Sequence, residues 1–281
     1  MIKKIFTIAL TLITLFSYTV TFATCNTFSA DLELSSAQYF TAADSASLSV
    51  TGNLTVDVWV NFETLPENTA DTLSQVIGKW NAIGQQSWKI TFYDTNGSIR
   101  FHQSPDGTEV NFTDVVDLGT FVTGTPYHIR VEYTAVADSV QFYLNGTSIA
   151  TNIGTGATAL SGGGLFGGDG LTYVGSDIAA NNRYYLDGKI DELRVSNSIR
   201  SAGNFSVQTE DYETDANTMA LYHFNDDLTT DSSGNSNTLT NANSIVQSST
   251  VPYTGTTCST GNPQFNWGLI MIPDIKLENY M

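Results

Sequence analysis

The chain has 281 residues, of which 41% are hydrophobic and only 14% are charged, so it has enough apolar material for a large core and too little charge for a disordered chain. Its formal net charge of −17 argues against nucleic acid as a partner, because binding to phosphates draws on clustered Lys and Arg. An acidic surface is instead typical of a protein kept soluble outside the cell, or of one whose carboxylates hold Ca²⁺.

The first 23 residues have the features of a secretory signal peptide. Lys3 and Lys4 precede an apolar run over residues 5–16, and a more polar stretch ends at Ala23. The run is shorter than the roughly 20 apolar residues that a transmembrane helix needs. We therefore predict cleavage after Ala23, secretion to the extracellular space or the cell surface, and a mature chain, residues 24–281, with a net charge of −19 because two basic residues are removed.

Two cysteines, Cys25 and Cys258, lie near the two ends of the mature chain. In an oxidising compartment they could pair as a disulfide that ties the termini together, and otherwise they are two free thiols. A lipoprotein signal ending at Cys25 is an alternative, although residues 22–24 are a poor fit to the small-residue pattern expected before a lipidated cysteine. We expect the disulfide and no metal site at these residues.

Short strands separated by turn signals extend from about residue 32 to residue 195. The first clear strand is residues 54–62, in which apolar side chains alternate with polar ones. The apolar side chains that fall on one face are Val56, Val58, Val60 and Phe62. This alternation predicts a strand with one face in a core.

Three tight-turn signals follow along the chain, at Asn96 with Gly97, at Asp106 with Gly107 and at Asn145 with Gly146. Asn, Asp and Gly tolerate the positive φ angles of a two-residue return between antiparallel strands. In the last hairpin the side chains that alternate inward are Val140, Phe142 and Leu144. We therefore predict an all-β fold, specifically a two-sheet antiparallel β-sandwich, because a parallel sheet would need long crossover segments.

Beyond the strands, residues 201–215 are polar and are expected to form a short helix or an irregular connection. Residues 219–224 are expected to form another strand. The tail, residues 256–281, is rich in Ser, Thr and Gly and then apolar up to Pro273. It could be a docking strand, a cell-surface attachment element or the start of a longer protein.

Four stretches carry the pattern of a known family. Residues 184–195 read aromatic or apolar, x, Gly, x, Ile, Asp, Glu, apolar, Arg, apolar. Residues 171–176 add an apolar strand ending in Gly, and residues 125–131 and 140–146 form a central hairpin with an Asn-Gly turn. Residues 56–60 are similar to the family's early core strand.

Together these stretches, from about residue 32 to residue 201, resemble the laminin G-like jelly rolls of the concanavalin A-like lectin and glucanase family. The resemblance implies a jelly-roll β-sandwich, which we place at residues 24–255. Members are used outside the cell for glycan binding and adhesion, so the resemblance implies an extracellular glycan or a cell-surface protein as partner.

A second stretch of the family pattern is out of its usual order. Residues 220–225 followed by residues 231–235 are similar to a segment that usually opens such a domain, but here they come last. The segment either completes the same sandwich from its C-terminal end or begins a second copy that stops short. We expect the first, because an isolated strand could not bury its apolar face.

The resemblance also implies a structural Ca²⁺ at the rim of the sheets. Its ligands would be Asp191 with Asp231, Asn235 and nearby carbonyls, since Ca²⁺ takes oxygen ligands. The alternative is that Asp191 and its neighbour Glu192 bond to Arg194 or cap backbone, and that the stretch beginning at Asp231 is simply a turn.

We predict that the protein is not an enzyme. Hydrolases of this family carry Glu-x-Asp-x-x-Glu on one strand, and no such run is present. Asp191 and Glu192 are adjacent, so in a regular strand they would point to opposite faces and could not form an acid/base pair. The three histidines, which lack a motif that joins them to a nucleophile or metal, are His102, His128 and His223.

Sugar binding would need planar side chains for stacking, beside polar groups for the hydroxyls. The candidates are Trp80, Trp88, Tyr184 and Tyr185, which could equally be core or rim residues. The hypothesis is a secreted, non-catalytic recognition or adhesion module that binds carbohydrate. The alternatives are a structural subunit of a cell-surface layer or appendage and, less favoured, a polysaccharide-cleaving enzyme.

Overall fold

The computed structural model describes residues 26–66, 73–93, 97–108, 110–115, 121–149, 160, 162–177 and 184–253. The signal peptide, Cys25, Cys258 and the tail from residue 256 lie outside these residues, so their predictions stand as predictions. The described residues form strands and one 3₁₀ turn, Leu34–Ser36. The strands are β1 Ser29–Leu32, β2 Tyr39–Ala42, β3 Leu54–Phe62, β4 Leu73–Trp80, β5 Gln86–Tyr93, β6 Ser98–Gln103, β7 Asn111–Val115, β8 Pro126–Thr134, β9 Ser139–Leu144, β10 Thr147–Ile149, β11 Thr172–Val174, β12 Gly188–Ser196, β13 Thr218–Tyr222, β14 Leu239–Ala242 and β15 Val246–Ser248.

The strands form two antiparallel sheets that pack face to face, which confirms the predicted β-sandwich. The eight-stranded sheet has the order β10-β9-β8-β3-β12-β1-β15, and β13 also pairs with β12. The seven-stranded sheet has the order β14-β2-β11-β4-β5-β6-β7. Among the described residues no helix has the length and apolar character that a membrane span requires.

The core lies between the two sheets and follows the alternation seen in the sequence. The four apolar side chains predicted on one face of β3 are each at most 1% exposed. Phe62 on β3 meets Phe92 on β5 edge to face across the sandwich, with ring centroids 4.7 Å apart. Burial of such a side chain contributes roughly 1.5–3 kcal/mol, so these inward faces account for much of the stability.

The predicted hairpins are confirmed by the pairing of β5 with β6, of β6 with β7 and of β9 with β10. Asn145 and Gly146, which join β9 to β10, have φ values of +48° and +77°. Two successive positive φ angles are the geometry of a type I′ turn, whose twist matches that of the flanking strands.

The C-terminal segment completes the same sandwich, as the first of the two alternatives predicted. β13 pairs with β12 and β15 pairs with β1 in the eight-stranded sheet. β14 pairs with β2 at the edge of the seven-stranded sheet. Ala220 and Tyr222 of β13 and Leu239 of β14 are therefore part of the common core.

A β-bulge in β12 changes where its acidic side chains point. Asp191 pairs with Trp59 and Arg194 with Asp57, so two residues of β12 face one residue of β3. Glu192, in the bulge, has a φ of +45°. Asp191 and Glu192 both point away from the core, and the prediction that they lie on opposite faces is wrong.

The connection between β12 and β13, residues 197–217, is irregular and covers the outer face of the eight-stranded sheet. Fully buried Asp57 accepts hydrogen bonds from Arg130 and Arg194 on that face. The two guanidinium groups lie 3.8 Å and 4.0 Å from the ring centroids of Phe205 and Tyr212, which belong to the connection. Charged groups and aromatic rings thus hold the connection against the sheet.

Candidate functional site

The outer face of the seven-stranded sheet carries a group of tyrosines. Tyr39 on β2 and Tyr173 on β11 alternate with core residues, so they point outward. Tyr185 comes from a segment that runs beside β4, where its carbonyl accepts a hydrogen bond of 3.1 Å from the Ser74 hydroxyl. The ring of Tyr39 lies 6.2 Å from that of Tyr173 and 6.4 Å from that of Tyr185. These three partly exposed rings are called the tyrosine platform.

A buried ion pair lies on the same face. Lys89 Nζ on β5 is 2.6 Å from Asp177 Oδ2, just after β11. The rings of Trp80 and Tyr184 lie 5.0 Å and 5.8 Å from the ammonium group. Burial lowers the pKa of Lys89, although the neighbouring carboxylate acts in the opposite direction.

Several buried polar atoms around this pair have no hydrogen-bond partner among the described residues. They are Gln75 Oε1, His102 Nδ1, Ser176 Oγ and Asp177 Oδ1. Buried polar groups are nearly always satisfied in folded proteins, so these atoms have unused capacity for water or for a bound molecule. The face therefore combines aromatic surface with polar groups.

The predicted sugar-binding residues are divided between this face and the core. Trp80, Tyr184 and Tyr185 lie together on the outer side of the seven-stranded sheet. Trp88 precedes Lys89 on β5 and so points the other way, into the core, with no exposed surface. Trp80 is only 2% exposed, which leaves the two tyrosines as the predicted residues that offer surface.

A second group of polar residues, the acidic cluster, lies where β12 changes partners along one edge. β1 pairs with β12 up to Ile190, and β13 pairs with it from Leu193 onward. Carboxylates from the bulge and from the connection meet at this junction. The residues of the acidic cluster are Asn26, Asp191, Glu192, Asp211 and His223.

The contacts within the acidic cluster are specific. Asn26 donates to Asp191 Oδ2 over 2.8 Å. Glu192 accepts a hydrogen bond of 2.7 Å from the Tyr212 backbone N–H and is bonded to His223 Nδ1, also at 2.7 Å. One ligand atom each from Glu192, Asp211 and His223 lies within 4.8 Å of the others.

Burial acts on the pKa values of Asp191, Glu192 and His223. Burial, followed by the charge of Glu192, raises the pKa of Asp191 well above its usual range. Burial also raises the pKa of Glu192, and the bond to His223 offsets part of that effect. Burial alone would lower the pKa of His223, but the bond to Glu192 outweighs it and the pKa rises.

The acidic cluster fits the oxygen chemistry of Ca²⁺. Asn26 is 3% exposed, and its Oδ1 has no partner among the described residues although its Nδ2 is bonded to Asp191. Tyr253 Oη, which is also buried and has no hydrogen-bond partner in the described part of the chain, lies within the electrostatic influence of Asp191 and Glu192. Crowded carboxylates beside unpartnered oxygens are an arrangement that a divalent cation would stabilise.

The residues predicted to join Asp191 at a calcium site have other partners. Asp231 accepts hydrogen bonds from the backbone N–H groups of Leu221, Ser233 and Asn237. Asn235 donates to backbone carbonyls next to it on β13. This stretch is a turn that docks on β13, and Arg194 pairs with Asp57 rather than with Asp191 or Glu192.

The fold and these two sites define a jelly-roll β-sandwich with an aromatic outer face. The sequence profile of the concanavalin A-like lectin/glucanases superfamily matches residues 34–204, which is more than half of the chain. The chain therefore belongs to this superfamily, and the resemblance seen in the sequence is confirmed. No curated protein sequence matches the chain.

Solved structures share the fold at low sequence identity. A putative carbohydrate binding protein from Bacteroides ovatus ATCC 8483 is similar with a TM-score of 0.51 and 14% identity, covering 79% of this chain and 59% of that chain, less than two thirds of its length. A native heptameric SAP-like pentraxin from Limulus polyphemus gives a TM-score of 0.48 and 11% identity, covering 63% of this chain and 78% of that chain. Domains LG4-5 of the mouse laminin alpha1 chain give a TM-score of 0.43 and 14% identity, covering 66% of this chain and 45% of that chain.

Proposed function

We propose that the protein is a secreted, non-catalytic recognition module that binds carbohydrate at the tyrosine platform. The observation that carries this proposal is that Tyr39, Tyr173 and Tyr185 lie side by side, partly exposed, on the outer face of the seven-stranded sheet. On the outer face of the other sheet, residues 197–217 lie over the charged cluster of Asp57, Arg130 and Arg194. Membership of a lectin and glucanase superfamily supports the proposal.

The chemistry of the platform suits a sugar. The apolar C–H faces of pyranose rings stack on aromatic rings, and the tyrosine hydroxyls at the edge can bond to sugar hydroxyls. A tyrosine side chain has few rotatable bonds, so ordering it on binding costs little conformational entropy. The platform therefore suits a glycan that presents apolar ring faces beside hydroxyl groups.

A polysaccharide-cleaving function has weaker support. The bulge places Asp191 and Glu192 on the same side of β12, but the two residues are only 1% and 0% exposed and cannot reach a polymer in solution. The chain also lacks the Glu-x-Asp-x-x-Glu run of the hydrolases. Recognition without cleavage is the function that fits these residues.

We also propose that the acidic cluster binds Ca²⁺ as a structural ion. Its carboxylates and the Asn26 amide oxygen would be the ligands, and the ion would supply positive charge to a buried, electronegative site. The ion would tie the segment before β1 and the segment after β15 to the bulge of β12, because Asn26 and Tyr253 both face the acidic cluster.

Calcium binding is tested by thermal unfolding of the protein with Ca²⁺ or with a chelator. We expect Ca²⁺ to raise the melting temperature of the wild type and to have little effect on Asp191→Asn. The matched control is Asp231→Asn, whose carboxylate holds a turn, so its melting temperature should be lower but should still respond to Ca²⁺. An unchanged wild-type melting temperature would contradict the calcium proposal.

Carbohydrate binding is tested by a glycan-array screen of residues 24–281, with and without Ca²⁺. Binding to a defined class of sugar supports recognition, and dependence on Ca²⁺ would link the two sites. A folded protein that binds nothing under either condition and assembles into higher-order particles would overturn the proposal in favour of a structural subunit of a cell surface.

A further inference from the structure

The ion pair between Lys89 and Asp177 is unusually isolated from solvent. Lys89 is 5% exposed and Asp177 is 0% exposed, and Lys89 Nζ lies 2.6 Å from Asp177 Oδ2. The other oxygen of the carboxylate, Oδ1, has no partner among the described residues. Burying two charges with so few compensating bonds costs desolvation energy that their attraction only partly repays.

The sheet is built so that this pair can form across an intervening strand. β5 pairs with one edge of β4 and β11 with the other, and Gly78 on β4 is opposite both Lys89 and Tyr173. A Cβ at Gly78 would lie 2.4 Å from the Cβ of Lys89. The missing side chain lets Lys89 lie across β4 and reach Asp177, beyond the end of β11.

The surroundings favour the uncharged form of the Lys89 amine. The rings of Trp80 and Tyr184 flank the ammonium group, and burial lowers the pKa of Lys89. His102 is the cross-strand neighbour of Lys89, and its buried Nδ1 has no partner among the described residues. Burial, followed by the charge of Lys89, lowers the pKa of His102 well below its usual range, so its ring is neutral.

We propose that Lys89 and Asp177 are joined by an intramolecular amide bond. A proton moves from Nζ to the carboxylate within the ion pair, and the neutral amine attacks Cγ. The Nζ–Cγ bond forms, a C–O bond breaks, and the departing oxygen leaves as water with two of the three ammonium protons. The reaction is a condensation without redox change, and it needs no co-reactant because the fold holds the two groups in contact.

The amide removes both buried charges and links β5 covalently to the end of β11. It forms a cross-link over β4, directly beside the tyrosine platform. A link between strands far apart in sequence would resist unfolding and proteolysis of the seven-stranded sheet. This inference is independent of glycan binding.

The test is mass spectrometry of the purified full-length product, wild type against Lys89→Arg, so that N-terminal processing cancels. A simple Lys to Arg exchange adds about 28 Da, whereas the difference is about 46 Da if the wild type has also lost water. A tryptic map of the wild type should give one branched peptide containing Lys89 and Asp177 and no cleavage after Lys89.

Control variants make the outcome decisive. Lys79→Arg alters another buried lysine that pairs with an aspartate, Asp44, and should differ from the wild type by about 28 Da whatever happens at Lys89. Asp177→Ala should restore cleavage after Lys89. A wild-type mass that includes the water, with normal cleavage after Lys89, would overturn the proposal even if every variant failed to fold.

Discussion

Removing the carboxylate of Asp57 should destabilise the protein strongly. Asp57 is fully buried on the outer side of β3, and it bonds to Arg194 Nη2 at 2.9 Å and to Arg130 Nε. Burial acts to raise its pKa, but the two guanidinium groups outweigh burial and hold the pKa below its usual value. The carboxylate is therefore charged and paired at neutral pH.

The variant Asp57→Ala would remove the anion that both arginines share; they are 6% and 8% exposed, and among the described residues only Arg130 keeps a second carboxylate, Glu132, at 4.0 Å. Breaking a buried ion pair from one side costs about 3–5 kcal/mol, so we expect a loss of that size in the free energy of unfolding. Asp57→Asn keeps an acceptor oxygen, so its free energy of unfolding should lie between that of Asp57→Ala and that of the wild type. Urea denaturation at pH 7 measures the difference.

The matched control is Glu63→Ala. Glu63 is 40% exposed, and its partner Lys189 keeps a second carboxylate, Asp31, at 3.1 Å. Exposed ion pairs contribute about 0–1 kcal/mol, so the free energy of unfolding of Glu63→Ala should be close to that of the wild type. If Asp57→Ala cost no more than Glu63→Ala, the account of how residues 197–217 are held would be refuted. Faster proteolysis within that connection in Asp57→Ala is the second expected result.

Three further predictions concern the pH dependence of stability, a glycine within a strand and a residue in a turn. Burial lowers the pKa of His128 from 6.5 to about 4. Between these two pH values the unfolded chain binds a proton that the folded ring does not, so the free energy of unfolding is highest above pH 6.5 and falls as the pH falls towards 4. Urea denaturation over this range should show the wild type losing up to about 3 kcal/mol more than His128→Phe, and parallel curves would contradict this. Gly78→Ala should cost about 1–3 kcal/mol by chemical denaturation because its Cβ would meet backbone and side-chain atoms of Lys89, whereas Gly52→Ala, with nothing within 4 Å, should be neutral. Asn145→Ala loses a hydrogen bond of 2.9 Å to the His128 N–H at a positive φ, and should cost about 1–2 kcal/mol in thermal unfolding, with equal stability as the result that argues against it.

The sheets could be predicted from the sequence because alternation and turn chemistry are local. The apolar positions of β3 and the Asn145 turn each depend on a few neighbouring residues. The bulge at Glu192 could not be predicted, because it arises where β12 exchanges β1 for β13 along one edge, which is a property of the whole sheet. The error about Asp191 and Glu192 follows from assuming a regular strand.

The candidate sites were only partly predictable for the same reason. Tyr39 and Tyr173 alternate with the core residues Phe40 and Val174, and this signal could have placed them on the outer face. Asp211 and His223 carry no such signal, since long-range pairing brings them to the acidic cluster. Trp88 is part of the core although polar residues flank it in the sequence, so neighbouring polarity did not distinguish a core aromatic from a binding one.

The most direct test of the central claim is a calorimetric titration of the glycan class found on the array into three proteins: wild type, Tyr39→Ala and Tyr127→Ala. Tyr39 is the central ring of the platform, and Tyr127 is a half-buried tyrosine on the other sheet. Loss of one stacking ring should weaken binding by about tenfold in Tyr39→Ala and leave Tyr127→Ala unchanged, with both proteins folded by circular dichroism. Equal affinity of Tyr39→Ala and the wild type would contradict carbohydrate recognition at the tyrosine platform.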